Sequence, residues 1–253
     1  MNAAPAASEG STTETALAVR LLRAFAAQYP RARFVEIGAN DGVTADPLHR
    51  LITTTAWRGV LAEPVPHLFA ELERTYAGNS RLSLANVAVA ELDGTKPFYH
   101  LPWLPPKEQP ANWWDMVGSL DEAHVRRFAS AIDDDGHEVQ ITPVECVTLA
   151  TLMRRHGLAA IDLLLLDTEG YDWTLLRSFD LAELRPRLVI YESRHLSERD
   201  RSDSERAMRA LDYELLSLGF DTWALDLTLE DRLSVRWTRA LADSEPSPAP
   251  PSG

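Results

Sequence analysis

The chain has 253 residues, with 25 Lys+Arg against 38 Asp+Glu and a formal net charge of −13. An acid excess of this size repels phosphate backbones and anionic lipid headgroups, so neither nucleic acid nor a membrane is expected as a partner. The single cysteine, Cys146, excludes an intrachain disulfide framework and a Cys-based structural zinc site, which suits a cytoplasmic setting.

No run approaches the roughly 18 consecutive apolar residues that span a bilayer. The opening MNAAPAASEGSTTET lacks the basic and apolar regions of a signal peptide. The expected organisation is a flexible start (1–12), one domain (13–240) and a disordered Pro/Ser tail (241–253).

Leu17, Leu21, Leu22 and Phe25 recur at helical spacing and predict a helix over 13–29, capped by Thr12 or Thr13 and stopped by Pro30. FVEIG (34–38) reads as a buried strand, and GANDG (38–42) as a loop into a helix reaching about Thr54. GVLAEP (59–64) is a second strand, after which Pro64 or Pro66 opens a helix to about Ala77. LSLANVAVA (82–90) is a third strand. Such a β-α-β-α-β alternation of apolar strands predicts a parallel sheet covered by helices on both faces.

The pattern breaks from Glu91 to about Glu138, where Pro97, Pro102, Pro105, Pro106 and Pro110 cluster with Trp103, Trp113 and Trp114. Those tryptophans either line an apolar pocket or staple an insertion, and segment 97–138 is expected to be an inserted lid. Within it, SLDEAHVRRFASAI (119–132) reads as a helix capped by Ser119, with Glu122 completing a capping box. Then VQITPVECVTL (139–149) is extended, LATLMRRHG is a helix ended by Gly157, and IDLLLLD (161–167) is a buried strand. A helix from about Tyr171, a strand RLVIYES (187–193) and a helix near 203–218 ending at Gly219 follow. FDTWALDL and RLSVRW are expected to pair as an antiparallel hairpin.

Doubly wound sheets bind ligands at the carboxyl ends of their strands, so the polar residues there are the candidates. The first strand ends in Glu36-Ile37-Gly38-Ala39-Asn40-Asp41-Gly42. Its glycines permit a sharp turn and close backbone approach, and Glu36 suits a ligand with a cationic group; an ordinary tight turn is the plain alternative. The spacing is not G-x-G-x-x-G, which tells against a nucleotide-dependent oxidoreductase. Glu63 can accept both ribose hydroxyls of an adenosine cofactor, or be a solvated strand end.

The fourth strand ends in Asp167-Thr168-Glu169-Gly170-Tyr171-Asp172. These carboxylates suit a general base, substrate orientation or a hard ion such as Mg²⁺, or they only cap a helix. The fifth adds Glu192 and His195; an imidazole with a pKa near 6.5 suits proton removal, unless it is a surface histidine. Whether His124, Arg126 and Arg127 face the pocket or solvent is open. Cys146 reads as a small buried hydrophobe.

The stretches FVEIGANDG, GVLAEP, NVAVAELDG, VECVTLATLMRRHG, IDLLLLDTEGYDWTLLRSFD and RPRLVIYESRHL, in that order over about 33–196, resemble the FkbM family of S-adenosylmethionine-dependent methyltransferases. The resemblance implies a Rossmann-like class I α/β fold: a doubly wound, mostly parallel seven-stranded sheet with its last strand antiparallel. It implies that Glu36, Gly38, Ala39, Asn40 and Gly42 surround the methionine part of S-adenosylmethionine. Glu63 would hold the ribose, Asn86 and Val87 would lie near the adenine, and Ser119 would reach the cofactor from the insert. Asp167, Glu169, Glu192 and His195 would face the acceptor, a hydroxyl on a small natural product or sugar. In-line transfer would use His195 or Asp167 as base, in preference to Mg²⁺ held by Asp167, Glu169 and Glu192. A non-catalytic adenosine-binding module is the rival reading. The amphipathic first helix packs on its own sheet or on a second subunit, so a homodimer stays open.

Overall fold

The computed structural model describes residues 12–104, 114–132, 138–228, 231 and 233–238. The chain runs through α1 (Thr12–Gln28), β1 (Arg33–Ile37), α2 (His49–Thr54), β2 (Arg58–Ala62), α3 (Pro66–Thr75) and β3 (Leu82–Ala85). It continues through β4 (Ala88–Val89), β5 (Gly94–His100), β6 (Gly118–Ser119), α4 (Glu122–Ile132) and β7 (Gln140–Val147). Then come α5 (Leu149–Arg155), β8 (Leu163–Leu166), α6 (Asp172–Leu176), α7 (Leu181–Leu184), β9 (Leu188–Glu192), α8 (Glu198–Ala210), β10 (Tyr213–Leu218) and β11 (Asp221–Asp226). The start before α1, the tail 241–253, Trp113 and the prolines 105, 106 and 110 lie outside the described residues.

Among the described residues, seven strands form one sheet in the order β10-β11-β9-β8-β1-β2-β3. Strand β1 pairs in parallel with both β2 and β8, setting Glu36 level with Leu61 and Leu165. Strand β11 is antiparallel to β9 and β10. This is the doubly wound, mostly parallel sheet with an antiparallel last strand that the sequence predicts.

Alternation sorts the strand residues into two cores. Phe34, Leu61, Leu163 and Leu165 pack with Leu21, Leu22 and Phe25 of α1 and Ile52 of α2. Val35, Val60, Leu164 and Leu166 pack with Leu152 of α5, Leu175 of α6 and Met208 of α8. Burying such a side chain contributes about 1.5–3 kcal/mol, so two covered faces hold the short strands in register. Helix α1 joins the same core as Leu216 and Leu218 of β10, and so packs on its own sheet.

A second sheet, in the order β4-β7-β5-β6, runs from Ala88 to Val147 and so extends past the expected insert (97–138) on both sides. Its core holds Val65, Phe98, Val144 and Cys146, while Leu101, Trp114 and Val117 pack against Val125 and Ala129 of α4. Trp114 is buried and donates its indole N–H to the Pro102 carbonyl at 2.7 Å, and Trp103 is exposed. Of the insert's described tryptophans, Trp114 staples it, and neither lines the cleft at the strand ends.

Several boundaries differ from the expected ones. LSLANVAVA is two strands: Asn86 breaks it, donating its amide to the carbonyls of Glu63 and Pro64, and β4 leaves for the second sheet. After GANDG no helix forms until His49, because the Asp41 and Asp46 carboxylates take the N–H groups of Val43, Thr44 and Leu48. Asp121, not Ser119, caps α4, accepting from the N–H groups of Ala123 and His124. The helix placed near 203–218 is α8, starting at Glu198 and ending at Ala210; left-handed Asp212 (φ +61°) turns the chain into β10. The hairpin is therefore β10–β11, and 233–238, which takes in LSVRW and Thr238, is helical. Leu233 and Trp237, four residues apart, bury one helical face in the main core.

Candidate active site

The carboxyl ends of β1, β2 and β8 open onto a cleft whose other wall comes from the insert. Gly38, immediately after β1, has φ +83°, and a Cβ there would lie 1.8 Å from the Asp167 carbonyl oxygen. Only glycine lets the β1 and β8 ends meet so closely. The next turn places the Asn40 N–H 2.9 Å from Glu63 Oε2, while the Val65 N–H reaches Glu63 Oε1 at 2.8 Å. Burial nevertheless pushes the Glu63 carboxyl up to about 7, against the pull of those two donors.

Glu36 lines the cleft, is 2% exposed, and has an oxygen, Oε2, with no partner among the described residues. Burial first, then neighbouring Asp46 and Asp167, hold it well above the usual carboxylate range. Asp46, absent from the sequence candidates, lines the same wall and is itself raised by burial. Val87, Ala88 and Val89 meet Phe98, Met116 and Leu120 of the insert as the cleft's apolar part.

Asp167 opens onto the cleft, yet its enclosing walls, then Glu169, Asp172, Asp221 and Glu63, hold it well above its ordinary value. Glu169 and Gly170 follow in left-handed conformations (φ +51° and +85°). Ser119 Oγ donates to the Thr168 carbonyl at 3.1 Å, tying the insert to this loop. Asp172 is fully buried behind it, accepts from Thr168 Oγ1 at 2.9 Å, and is pushed by burial to about 7.

At the end of β9, Glu192 is buried with Oε2 unpartnered among the described residues, raised by burial and then by Asp167, Glu169 and Asp172. His195 Nε2 lies 3.4 Å from Glu192 Oε1 and 3.6 Å from Glu169 Oε2. His124 Nε2 reaches the same Glu169 oxygen at 3.3 Å, and the two imidazole rings stand 4.7 Å apart at 70°. Burial pushes His195 down to about 4, outweighing the attraction of Glu169. It is neutral at pH 7, well below the value near 6.5 expected from sequence.

Eight of the sequence candidates share the cleft: Glu36, Gly38, Ala39, Asn40, Glu63, Val87, Asp167 and Glu169. Glu192 and His195 stand behind Glu169. Gly42 does not line the cleft: its carbonyl accepts from Tyr76, and a Cβ would meet the Tyr76 and Leu72 side chains. Asn86 braces the β2 end from outside, and Ser119 is the tie just described. The expected metal set of Asp167, Glu169 and Glu192 is not the one that converges. Among the described residues the close ligand atoms belong to His124, Glu169 and His195. Arg126 pairs with Glu122 on the outer face of α4. The sequence left His124 undecided, although Val125, Phe128 and Ala129 beside it mark an inward helical face.

This sheet, with acids at its strand ends facing a cleft, is the class I methyltransferase architecture. The family described as "Methyltransferase FkbM domain" matches residues 36–221, and the chain belongs to that family. No curated protein matches the sequence. Among solved structures, methyltransferase FkbM from Methylobacillus flagellatus KT is 12% identical, with 78% of this chain and 44% of that chain covered and a TM-score of 0.46. The chain thus spans less than half the length of that protein. Ribosomal protein L11 methylase from Lactobacillus delbrueckii subsp. bulgaricus is 12% identical (84% and 77% covered, TM-score 0.38). Aeropyrum pernix fibrillarin, solved with natively bound S-adenosyl-L-methionine, is 12% identical (82% and 76% covered, TM-score 0.40). No helix among the described residues is long and apolar enough to cross a membrane.

Proposed function

We propose that the chain methylates a hydroxyl of a small molecule, taking the methyl group from S-adenosylmethionine. One observation carries this reading: the buried Glu36 carboxyl, whose Oε2 has no partner among the described residues, and the braced Glu63 share a cleft with Asp167 and Glu169. The residues fit that cofactor. Glu36 offers a free buried oxygen to an ammonium group, Gly38 leaves room beside the backbone, and Glu63 retains lone pairs for ribose hydroxyls. Val87, Phe98, Met116 and Leu120 suit a flat apolar base. When bound, S-adenosylmethionine supplies an electrophilic methyl whose bond to sulfur breaks with the electron pair left on sulfur.

The remaining work belongs to the protein. Asp167 and Glu169 border the acceptor side and align its oxygen, and such positioning is worth up to about 7–11 kcal/mol in well-oriented systems. The acceptor's hydroxyl proton has to leave as its oxygen forms the new O–CH₃ bond. His195 is unprotonated at pH 7, and a proton arriving there gives an imidazolium flanked by Glu169 and Glu192. Among the described residues no Lys or Arg lines the cleft, which favours neutral or cationic acceptors over phosphorylated ones and over nucleic acid.

The test pairs calorimetry with mass spectrometry. S-adenosylmethionine should bind and NAD should not. A panel of neutral, amine-bearing and phosphorylated alcohols should show methyl gain in the first two groups only. Absence of S-adenosylmethionine binding to folded protein would overturn the proposal.

A further inference from the structure

Three elements far apart in sequence bring His124 (α4), Glu169 (after β8) and His195 (after β9) together. We infer that these three side chains form a binding site for a divalent transition cation of the zinc type, at the acceptor edge of the cleft. Ligands bound at about 2.0–2.1 Å around a tetrahedral ion stand roughly 3.3 Å from one another. The His124–Glu169 and His195–Glu169 separations are 3.3 and 3.6 Å, and the three ligand atoms lie within 4.8 Å of each other. Charge-assisted hydrogen bonds run shorter, near 2.7–2.9 Å, and two imidazole nitrogens converging on one carboxylate oxygen is an arrangement that an ion explains directly.

Two independent observations point the same way. Glu192 stands beside the group with Oε1 3.4 Å from His195 Nε2, its buried Oε2 unpartnered among the described residues, so a fourth donor is at hand. Gly170 makes room for the cluster: a Cβ there would sit 3.0 Å from His124 Nδ1. Two imidazoles with a carboxylate suit Zn²⁺, Fe²⁺ or Co²⁺, whereas Mg²⁺ prefers an all-oxygen octahedral shell. Because Glu169 also lines the cleft, an ion held on it would act as a Lewis acid on a bound hydroxyl, easing proton loss to solvent in place of His195, whose Nε2 would then be a ligand and not a base. That role rests on the methyl-transfer reading; the binding does not.

The full chain, stripped with a chelator, is titrated with Co²⁺ and followed by visible d–d absorption. One equivalent should bind with the intense absorption of a low-coordinate site, be displaced by Zn²⁺, and be indifferent to Mg²⁺. His124→Gln and His195→Gln should each weaken Co²⁺ binding at least tenfold, while His156→Gln leaves it unchanged. Near-ultraviolet circular dichroism checks that each variant is folded. Folded wild-type chain that takes up no Co²⁺, or Co²⁺ binding retained in both His124→Gln and His195→Gln, would overturn the site. S-adenosylmethionine binding is measured in parallel: its retention without Co²⁺ uptake sinks only this site, and its loss with Co²⁺ bound sinks only the methyl-transfer reading.

Discussion

The Asn40 backbone N–H donates to Glu63 Oε2 at 2.9 Å, joining the loop after β1 to the end of β2. With the Val65 N–H on the other oxygen at 2.8 Å, the carboxyl is oriented before any ligand arrives. Glu63→Gln must turn an NH₂ group toward one of these two donors, leaving buried polar groups facing each other. Losing such a partner costs about 1–3 kcal/mol. The variant should therefore melt several degrees lower without ligand and bind S-adenosylmethionine roughly 10- to 100-fold more weakly. An unchanged melting temperature would show that the two backbone contacts do not hold the carboxyl.

The parallel sheet was legible because β8 (LLLL) and β9 (LVIYE) are runs of four and five residues, apolar up to the closing Glu192, buried along their whole length and too short for core helices. Boundaries failed where an apolar run serves two elements. LANVAVA reads straight through Asn86, whose side-chain bonds to the β2 end are a tertiary fact. The leucines of YELLSL fit a helix as well as the buried face of β10, and pairing with β11 decides between them. At the site, the acids at strand ends followed from the sheet alone. Asp46 and His124 did not, since their places depend on a turn and on how the insert lays α4 across the β8 loop.

Gly38 and Gly42 read alike in sequence and differ in the fold. A Cβ on Gly38 collides with backbone, 1.8 Å from the Asp167 carbonyl, whereas on Gly42 it meets the far ends of Tyr76 and Leu72. Gly38→Ala should cost more than about 3 kcal/mol and abolish cofactor binding, as both strand ends must move. Gly42→Ala should cost about 1–2 kcal/mol, chiefly through its φ of +74°, and leave cofactor affinity within about threefold. Thermal melts with cofactor titration check the ranking, and equal loss in both variants would contradict it.

Cofactor binding should release protons. Burial holds Glu36 well above the ordinary carboxylate range and pushes Glu63 to about 7, so Glu63 is largely protonated in the empty cleft at pH 6. A ligand bearing ammonium and sulfonium charges favours their ionised forms, so affinity should strengthen as pH rises from 6 to 8. Calorimetry in two buffers of unlike ionisation heat should report about one proton released at pH 6. Glu36→Gln should reduce that release and weaken binding about tenfold. Identical heats in the two buffers would contradict the linkage.

Buried carboxyls make the ligand-free protein more stable in mild acid than in base. Burial first of all pushes Glu63, Asp172 and Asp221 to about 7, from ordinary values of 4.5, 3.8 and 3.8. Between about pH 4 and 7 the native state then holds protons that the unfolded chain has lost, so each group's contribution falls as pH rises through that window. His195, lowered to about 4 from 6.5, opposes this between pH 4 and 6.5, as one group against three. Below about pH 4 the trend reverses. At Asp226, the hydrogen bonds from Arg185 and Thr228 outweigh burial and depress the carboxyl, and that stability is lost on protonation. The melting temperature should peak near pH 4 to 4.5 and fall toward pH 8. Asp221→Asn removes one ionisable group away from the cleft lining and should raise the melting temperature at pH 8 by about 2–4 °C for each kcal/mol recovered, with little change at pH 5. A wild-type melting temperature that climbs steadily from pH 5 to 8 would show that these carboxyls are ionised in the folded, ligand-free protein.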